Sequence, residues 1–189
     1  MENQKKQVLA DLQHKVSSCT LCPLSKTRTN TVFGKGGDSP KILFVGEAPG
    51  EQEDLKGFPF VGPAGNLLDL YLEFIGLEKE DYYITNIIKC RPPRNRDPLP
   101  EEEEACMGYL REQVLHLSPK ILVCLGRVAA KRIIDPDFKI TKERGKWFDR
   151  GGMKVIATYH PSALLRDPAK KKESLSDFKK ILDEFEKIK

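Results

Sequence analysis

The sequence predicts an α/β protein, a three-layer α/β/α arrangement around a central four-stranded parallel sheet. Two observations carry that expectation. Short apolar runs alternate along the chain with amphipathic helical patterns, which is the signature of strand–helix–strand units. The runs are also apolar throughout, rather than on every second residue, so both faces of the sheet should be covered. A parallel sheet brings the carboxyl ends of its strands to one edge, where open α/β folds hold their sites.

The first strand organises the rest. Lys41-Ile-Leu-Phe-Val45 runs straight into Gly46-Glu47-Ala48-Pro49-Gly50 and then Glu51-Gln-Glu53-Asp54, so a buried strand stops abruptly and leaves carboxylates at its end. Ahead of it, Val8, Leu9, Leu12 and Val16 recur at helical spacing, then Cys19 and Cys22 fall on a loop, and polar and Gly-rich residues fill 25–40. After it, Gly57-Phe-Pro-Phe60-Val-Gly62-Pro-Ala-Gly65 holds too many turn formers for a strand and places Phe60 on a loop near those acids. A helix from Pro63 through Ile75 carries Leu67, Leu68, Tyr71, Leu72 and Ile75 on one stripe and closes at Gly76.

The second strand is expected over Tyr82–Ile88 and breaks at Lys89-Cys90-Arg91-Pro-Pro, where prolines forbid helix and sheet alike. Pro100 and Glu101–Glu104 open a helix that carries Cys106; the acids oppose the positive end of its dipole. A third strand, Lys120–Gly126, feeds a helix through Ile134. Residues 141–150 read as irregular and basic. A fourth strand, Lys154–Tyr159, leads to His160-Pro-Ser162-Ala-Leu-Leu-Arg166, and a helix from about Pro168 follows. Glu47, Asn86, Gly126 and His160 should therefore meet at one edge.

The totals bound the function. A chain of 189 residues suits a single domain over 1–189, with 39% apolar and 32% charged residues, which describes a globular chain rather than a disordered one. No apolar run is long enough to span a membrane, and the opening Met-Glu-Asn-Gln-Lys-Lys lacks a signal-peptide core, so a cytoplasmic protein is the expectation. The net charge of +4 is too small to argue for nucleic acid unless the charge is clustered locally. Lys89, Arg91, Arg94 and Arg96 are such a cluster, while Lys170–Lys172 read as solvated helix surface.

Five cysteines in a cytosolic chain argue against a disulfide framework. Cys19 and Cys22 form a C-x2-C pair, and Cys90 and Cys106 could complete a four-thiolate site. Their spacing does not choose between zinc and iron–sulfur. Cys124, flanked by Leu122, Val123 and Leu125, reads as a buried core residue, and His14 and His116 as surface residues on helices.

The edge offers acids (Glu47, Glu53), an amide (Asn86), an imidazole (His160) and a ring (Phe60). It holds no Walker loop, dinucleotide fingerprint or Ser-His-Asp order. A ring to stack on, an amide to read an edge and an acid near water suit cleavage of a base from a sugar.

Gly46-Glu-Ala-Pro-Gly50 with Glu53-Asp54, Gly57-Phe-Pro-Phe60-Val-Gly, Thr85-Asn86 leading to Lys89-Cys90-Arg-Pro-Pro, Glu143-Arg-Gly-Lys-Trp147 and His160-Pro-Ser-Ala-Leu-Leu-Arg166 together resemble the family 4 uracil-DNA glycosylases, the iron–sulfur type. The match runs in order from about Cys19 to Arg166. The resemblance implies a uracil-DNA glycosylase-like fold and hydrolysis of uracil from single- or double-stranded DNA by a monomer. It also implies a [4Fe-4S] cluster on Cys19, Cys22, Cys90 and Cys106 that ties residues 1–30 to the rest. By the same resemblance Gly46, Glu47, Ala48, Pro49, Phe60, Asn86 and His160 contact the base, and Glu47, His160 and Glu53 are the candidates for the chemistry; thymine's methyl needs a steric wall, which is assigned to Glu53 and its loop. Arg91, Arg94, Ser162 and Arg166 would contact DNA, with Leu164 or Leu165 as a wedge. The motif departs from the better-known uracil glycosylases at Ala48, where they carry an aspartate, and Ala163 stands where the last motif often has tyrosine. Two alternatives stand beside this reading: a non-catalytic iron–sulfur or zinc DNA-binding module, and a relative that becomes trapped covalently on its product. The second would carry an extra Arg- and His-containing loop, absent between Ile134 and Lys146.

Overall fold

A computed structural model describes residues 2–189, with side chains from residue 6 onward. Helix α1 (Glu2–Ser17) is followed by a 3-10 turn over Pro23–Lys26, strand β1 (Lys35–Gly36), strand β2 (Ile42–Gly46) and the short helix α2 (Glu51–Lys56). Next come α3 (Pro63–Phe74), β3 (Tyr82–Asn86), a 3-10 turn over Pro93–Asn95, α4 (Pro100–Leu117), β4 (Ile121–Leu125), α5 (Arg127–Ile133) and α6 (Ile140–Glu143). Strands β5 (Trp147–Arg150) and β6 (Met153–Thr158), helix α7 (Pro161–Arg166) and, after another 3-10 turn, α8 (Lys171–Glu186) complete the order. No helix among the described residues is long and apolar enough to cross a membrane.

The six strands form one sheet in the order β1-β3-β2-β4-β6-β5. Its middle four, β3-β2-β4-β6, are the parallel sheet expected from the apolar runs. The two edge strands run antiparallel, and both fall in stretches the sequence reading left irregular. Neither has a legible pattern of its own. β1 is two residues long, and Gly36 is required there because a Cβ would lie 2.2 Å from the Tyr82 carbonyl oxygen. β5 is joined to β6 by Gly151-Gly152, both at positive φ, the two-residue hairpin turn that matches strand twist. The other new element, α2, ends at Gly57 in the left-handed region.

Each central strand divides its side chains between two cores. Leu43, Val45, Leu122, Cys124, Val155 and Ala157 pack on one face with Met107 and Leu110 of α4 and Ala129 and Ala130 of α5. Ile42, Phe44, Ile121, Val123 and Ile156 pack on the other with Leu68 and Leu72 of α3 and Phe178, Ile181 and Phe185 of α8. This is the three-layer α/β/α arrangement. α1 adds a small cluster, Leu12 and Val16 with Phe33, against α4.

Register sets the site. Gly46 lies opposite Asn86 and Leu125 opposite Thr158, so the parallel strands end level and the residues after them share one edge. The end of β6 is braced from α8. Asp177, buried, accepts two bonds from Arg144 Nη1 (2.8 and 2.9 Å) and one from Thr158 Oγ1 (2.8 Å), and Thr158 also meets Ser174.

Candidate active site

A cleft of about 490 Å³ opens at this edge and brings together Glu47, Glu53, Phe60, Asn86, Gly126, His160 and Arg166. The gathering expected from strand topology is therefore present. Asp97, Arg127 and Tyr159 also line the cleft and were not anticipated; only knowledge of which loops fold over the edge could have found them.

Asn86 ends β3 with 2% of its surface exposed, and its Oδ1 has no hydrogen-bond partner among the described residues. A buried amide oxygen left unpaired costs on the order of 1–3 kcal/mol, so it marks a place where a ligand completes the structure. Gly46 makes the space. A Cβ there would lie 2.3 Å from Asn86 Oδ1 and 3.0 Å from Phe60 Cζ.

Phe60 is buried with φ +51°, a left-handed conformation unusual for a bulky residue. Three hydrogen bonds hold it, and Gly65 leaves it room. Glu53 Oε1 accepts from the amides of Val61 (2.9 Å) and Gly62 (3.0 Å), Lys35 Nζ donates to the Phe60 carbonyl (3.2 Å), and a Cβ on Gly65 would lie 2.1 Å from that carbonyl oxygen. The ring stands 5.6 Å from the His160 imidazole, tilted by 33°. Asp54, the neighbouring acid, is buried and accepts from the amides of Thr29 and Asn30. Of the acids after β2, Glu53 and Asp54 fasten loops, whereas Glu47 faces the cleft.

Glu47 is unlike an ordinary carboxylate. Burial, and next the negative charge of Asp97, push it up to about 7, with Arg127 pulling the other way. His160 is shifted down, to about 4, by burial and then by Arg166, so the ring is neutral near pH 7. Its Nδ1 accepts from the Ser162 amide (3.2 Å) and lies 2.7 Å from the Ser162 hydroxyl. A neutral ring that accepts at Nδ1 carries its proton on Nε2, which makes that atom a donor. Gly126, at φ +94°, clears the imidazole, since a Cβ there would lie 2.8 Å from His160 Cβ.

Cys19, Cys22, Cys90 and Cys106 line one small cavity, with Arg28, Lys89 and Tyr109 around them. Arg28 Nη1 is 3.2 Å from Cys90 Sγ. Burial raises the Cys90 thiol and pushes Cys106 up to about 11, so as free thiols both would stay protonated. All five cysteines are unpaired, and Cys124 is buried within β4 away from this cavity, as expected of a core residue. Four sulfur donors in a small, mostly apolar site fit zinc or iron–sulfur chemistry. Among the described residues no three such groups are drawn tightly enough around a point to hold a single ion.

The basic loop is less uniform than its sequence. Lys89 is buried and points inward, donating to Thr85 Oγ1, Asn86 O and Gln113 Oε1. Arg96 forms a two-pronged pair with the buried Glu102 at the start of α4. Arg91 bonds Asn95 Oδ1 and lies 3.6 Å from Glu51, leaving Arg94 the most open of the four. The expectation of a wedge at Leu164 is corrected as well: Leu164 is buried in the core side of α7, while Leu165 is 44% exposed beside it.

Comparison with known proteins agrees with this geometry. The family model described as the uracil DNA glycosylase superfamily matches residues 33–186. The chain is 51% identical over 181 residues to a type-4 uracil-DNA glycosylase of Archaeoglobus fulgidus, covering 92% of this chain and 91% of that protein. It is 43% identical to a type-4 uracil-DNA glycosylase of Thermotoga maritima, over 98% of this chain and 95% of the other. A type-5 uracil-DNA glycosylase of Pyrobaculum aerophilum is more distant, at 30% identity over 77% of this chain and 74% of its own.

Proposed function

This chain belongs to the uracil DNA glycosylase superfamily, and from that premise we infer that it excises uracil from DNA by hydrolysing the N-glycosidic bond, leaving an abasic site. It is a monofunctional repair glycosylase of the type-4 kind. The unpaired, buried Asn86 Oδ1 beside Phe60 and His160 is the observation that best supports the reading.

A base inside a duplex is out of reach, so the nucleotide must leave the stack, at a cost of a few kcal/mol that stacking on Phe60 partly offsets. Asn86 Oδ1 accepts from uracil N3–H while its amide nitrogen donates to O4. Cytosine presents an unprotonated N3 and an amino group, so both partners are mismatched, and rejection by unpaired buried polar groups is severe. Gly46, Ala48 and Pro49 complete the wall around the base. His160 Nε2 donates to O2 as negative charge builds on the departing uracil, and a neutral, preoriented donor does this without reorganisation. Glu47 stabilises the cationic sugar or takes the proton of the attacking water; its pKa near 7 suits either task at neutral pH. Glu53 acts indirectly, holding the Phe60 loop where thymine's methyl would need room.

Cys19, Cys22, Cys90 and Cys106 would hold a [4Fe-4S] cluster; their shared cavity and all-sulfur donor set support this reading. When bound, the cluster supplies a cross-link between the amino-terminal segment, the loop after β3 and α4, making one unit of 1–189. Arg91, Arg94, Ser162 and Arg166 contact the DNA backbone of single or double strands, Leu165 fills the gap left by the flipped base, and the enzyme works as a cytoplasmic monomer.

The test is a single-stranded uracil oligonucleotide treated with the protein and then with alkali. Cleavage is expected. Tight binding without cleavage would favour a non-catalytic module, and a shifted covalent band would favour the trapping type. Asn86→Asp should admit cytosine; unchanged selectivity would remove Asn86 from its assigned role.

A further inference from the structure

Lys89 has the chemistry of a coupling element. It lies three residues after Asn86 and next to Cys90, and only 1% of it is exposed. Its ammonium donates to Thr85 Oγ1 at 2.6 Å, Gln113 Oε1 at 2.7 Å and the Asn86 carbonyl at 2.8 Å, which engages all three of its N–H bonds. Thr85 Oγ1 passes the network on to the Phe33 carbonyl (2.7 Å), and Gln113 Nε2 donates to the same oxygen (3.0 Å). Every acceptor is neutral. A buried cation with only neutral acceptors is costly unless a negative charge lies nearby. Lys89 is the chain neighbour of Cys90 and forms part of the wall of the cavity that Cys19, Cys22, Cys90 and Cys106 line.

We propose that Lys89 is a positioning residue that joins the two centres: its charge is balanced by the thiolate-ligated cluster, and its hydrogen bonds fix the backbone of Asn86 so that the carboxamide faces the base. This rests on the reading of the cysteine centre as an iron–sulfur site and of the cleft as the uracil pocket. Four thiolates around a [4Fe-4S] core of charge +2 leave a net negative group, the partner the ammonium lacks among the described residues. With the cation in place, the Thr85 hydroxyl and the Asn86 carbonyl at the end of β3 are tied to one ammonium. Thr85 and Asn86 therefore cannot rotate without breaking bonds to Lys89.

The experiment uses the purified, cluster-loaded protein and its Lys89→Met and Thr85→Val variants, with two readouts. One is single-turnover and steady-state excision from a uracil oligonucleotide; the other is the rate at which ferricyanide bleaches the visible absorbance of the cluster. Lys89→Met keeps the bulk but removes the charge and all three bonds. Its kcat should fall by about tenfold or more with KM within about twofold, as for misplacement of a group that acts in the transition state. Bleaching should accelerate severalfold, because loss of a neighbouring cation favours the more oxidised cluster. Thr85→Val keeps the charge and removes one of the three bonds to Lys89, together with the bond to the Phe33 carbonyl, so kcat should fall by about threefold while bleaching stays at the wild-type rate. This variant carries the test if Lys89→Met does not fold. Wild-type kcat in either variant, or unaltered bleaching in Lys89→Met, would overturn the coupling while the functional reading stood. A wild-type protein that fails to excise uracil, or that has no visible absorbance, would overturn the functional reading and the coupling with it.

Discussion

Asp177 and Asn86 are equally hidden from water, at 1% and 2% exposure, yet they are opposites in bonding. Asp177 sits in a closed network, with Arg144 and Thr158 filling its oxygens and Ser174 completing Thr158. Asn86 Oδ1 has no partner among the described residues. Both stand near strand ends that feed the cleft, so location does not separate them. What separates them is whether the fold has already answered their hydrogen-bonding capacity: an answered group holds the structure, and an unanswered one waits for a ligand.

The comparison predicts a clean exchange of phenotypes. Asn86→Ala should lower uracil excision by about 100-fold to 1000-fold, with the thermal midpoint unchanged or raised, since an unmet buried acceptor is removed. Loss of stability in that variant would break the distinction. Asp177→Ala should do the reverse. Removing the buried carboxylate takes away two bonds from Arg144 and one from Thr158, although Arg144 keeps Glu173, and should lower unfolding free energy by about 2–3 kcal/mol in denaturant titration, with kcat per folded molecule changed by less than about tenfold.

The next effect is set by pH. Glu47, raised to about 7, is needed ionised, so kcat/KM should climb by about tenfold per unit below pH 7 and level off above it; Glu47→Gln should abolish that inflection. His160 should add no inflection near its ordinary value, because it stays neutral down to about 4. It appears instead in stability. Between 6.5 and 4 the unfolded chain binds a proton at His160 that the folded chain refuses, so stability should fall as pH drops through that window. The smallest effect belongs to Leu165→Ala, which should weaken excision from duplex by about threefold and leave single strands nearly unaffected, in keeping with a wedge that matters only where a stack must be opened.

Much of this was legible before the fold was known. Apolar runs marked the four parallel strands, parallel pairing implied that Glu47, Asn86 and His160 would meet at one edge, and Cys124 was recognisable as core. The edge strands were not legible, because β1 is two residues long and β5 is set by a Gly-Gly hairpin turn rather than by an apolar run. Four basic residues in one loop looked alike for a related reason. Lys89 is drawn inward by Gln113, 24 residues away, and Arg96 by Glu102, which no local pattern reports. Leu164 and Leu165 likewise differ only through the face of α7 that meets the core.

The left-handed backbone at Phe60 has a practical consequence. Glu53 and Lys35 lock the ring before any nucleotide arrives, so little flexibility is lost on binding, and nothing in that wall needs to relax once the bond is cut. A socket so complete in advance should keep its grip on the liberated pyrimidine. Turnover should then be governed by how quickly the free base escapes, and added uracil should slow the enzyme competitively.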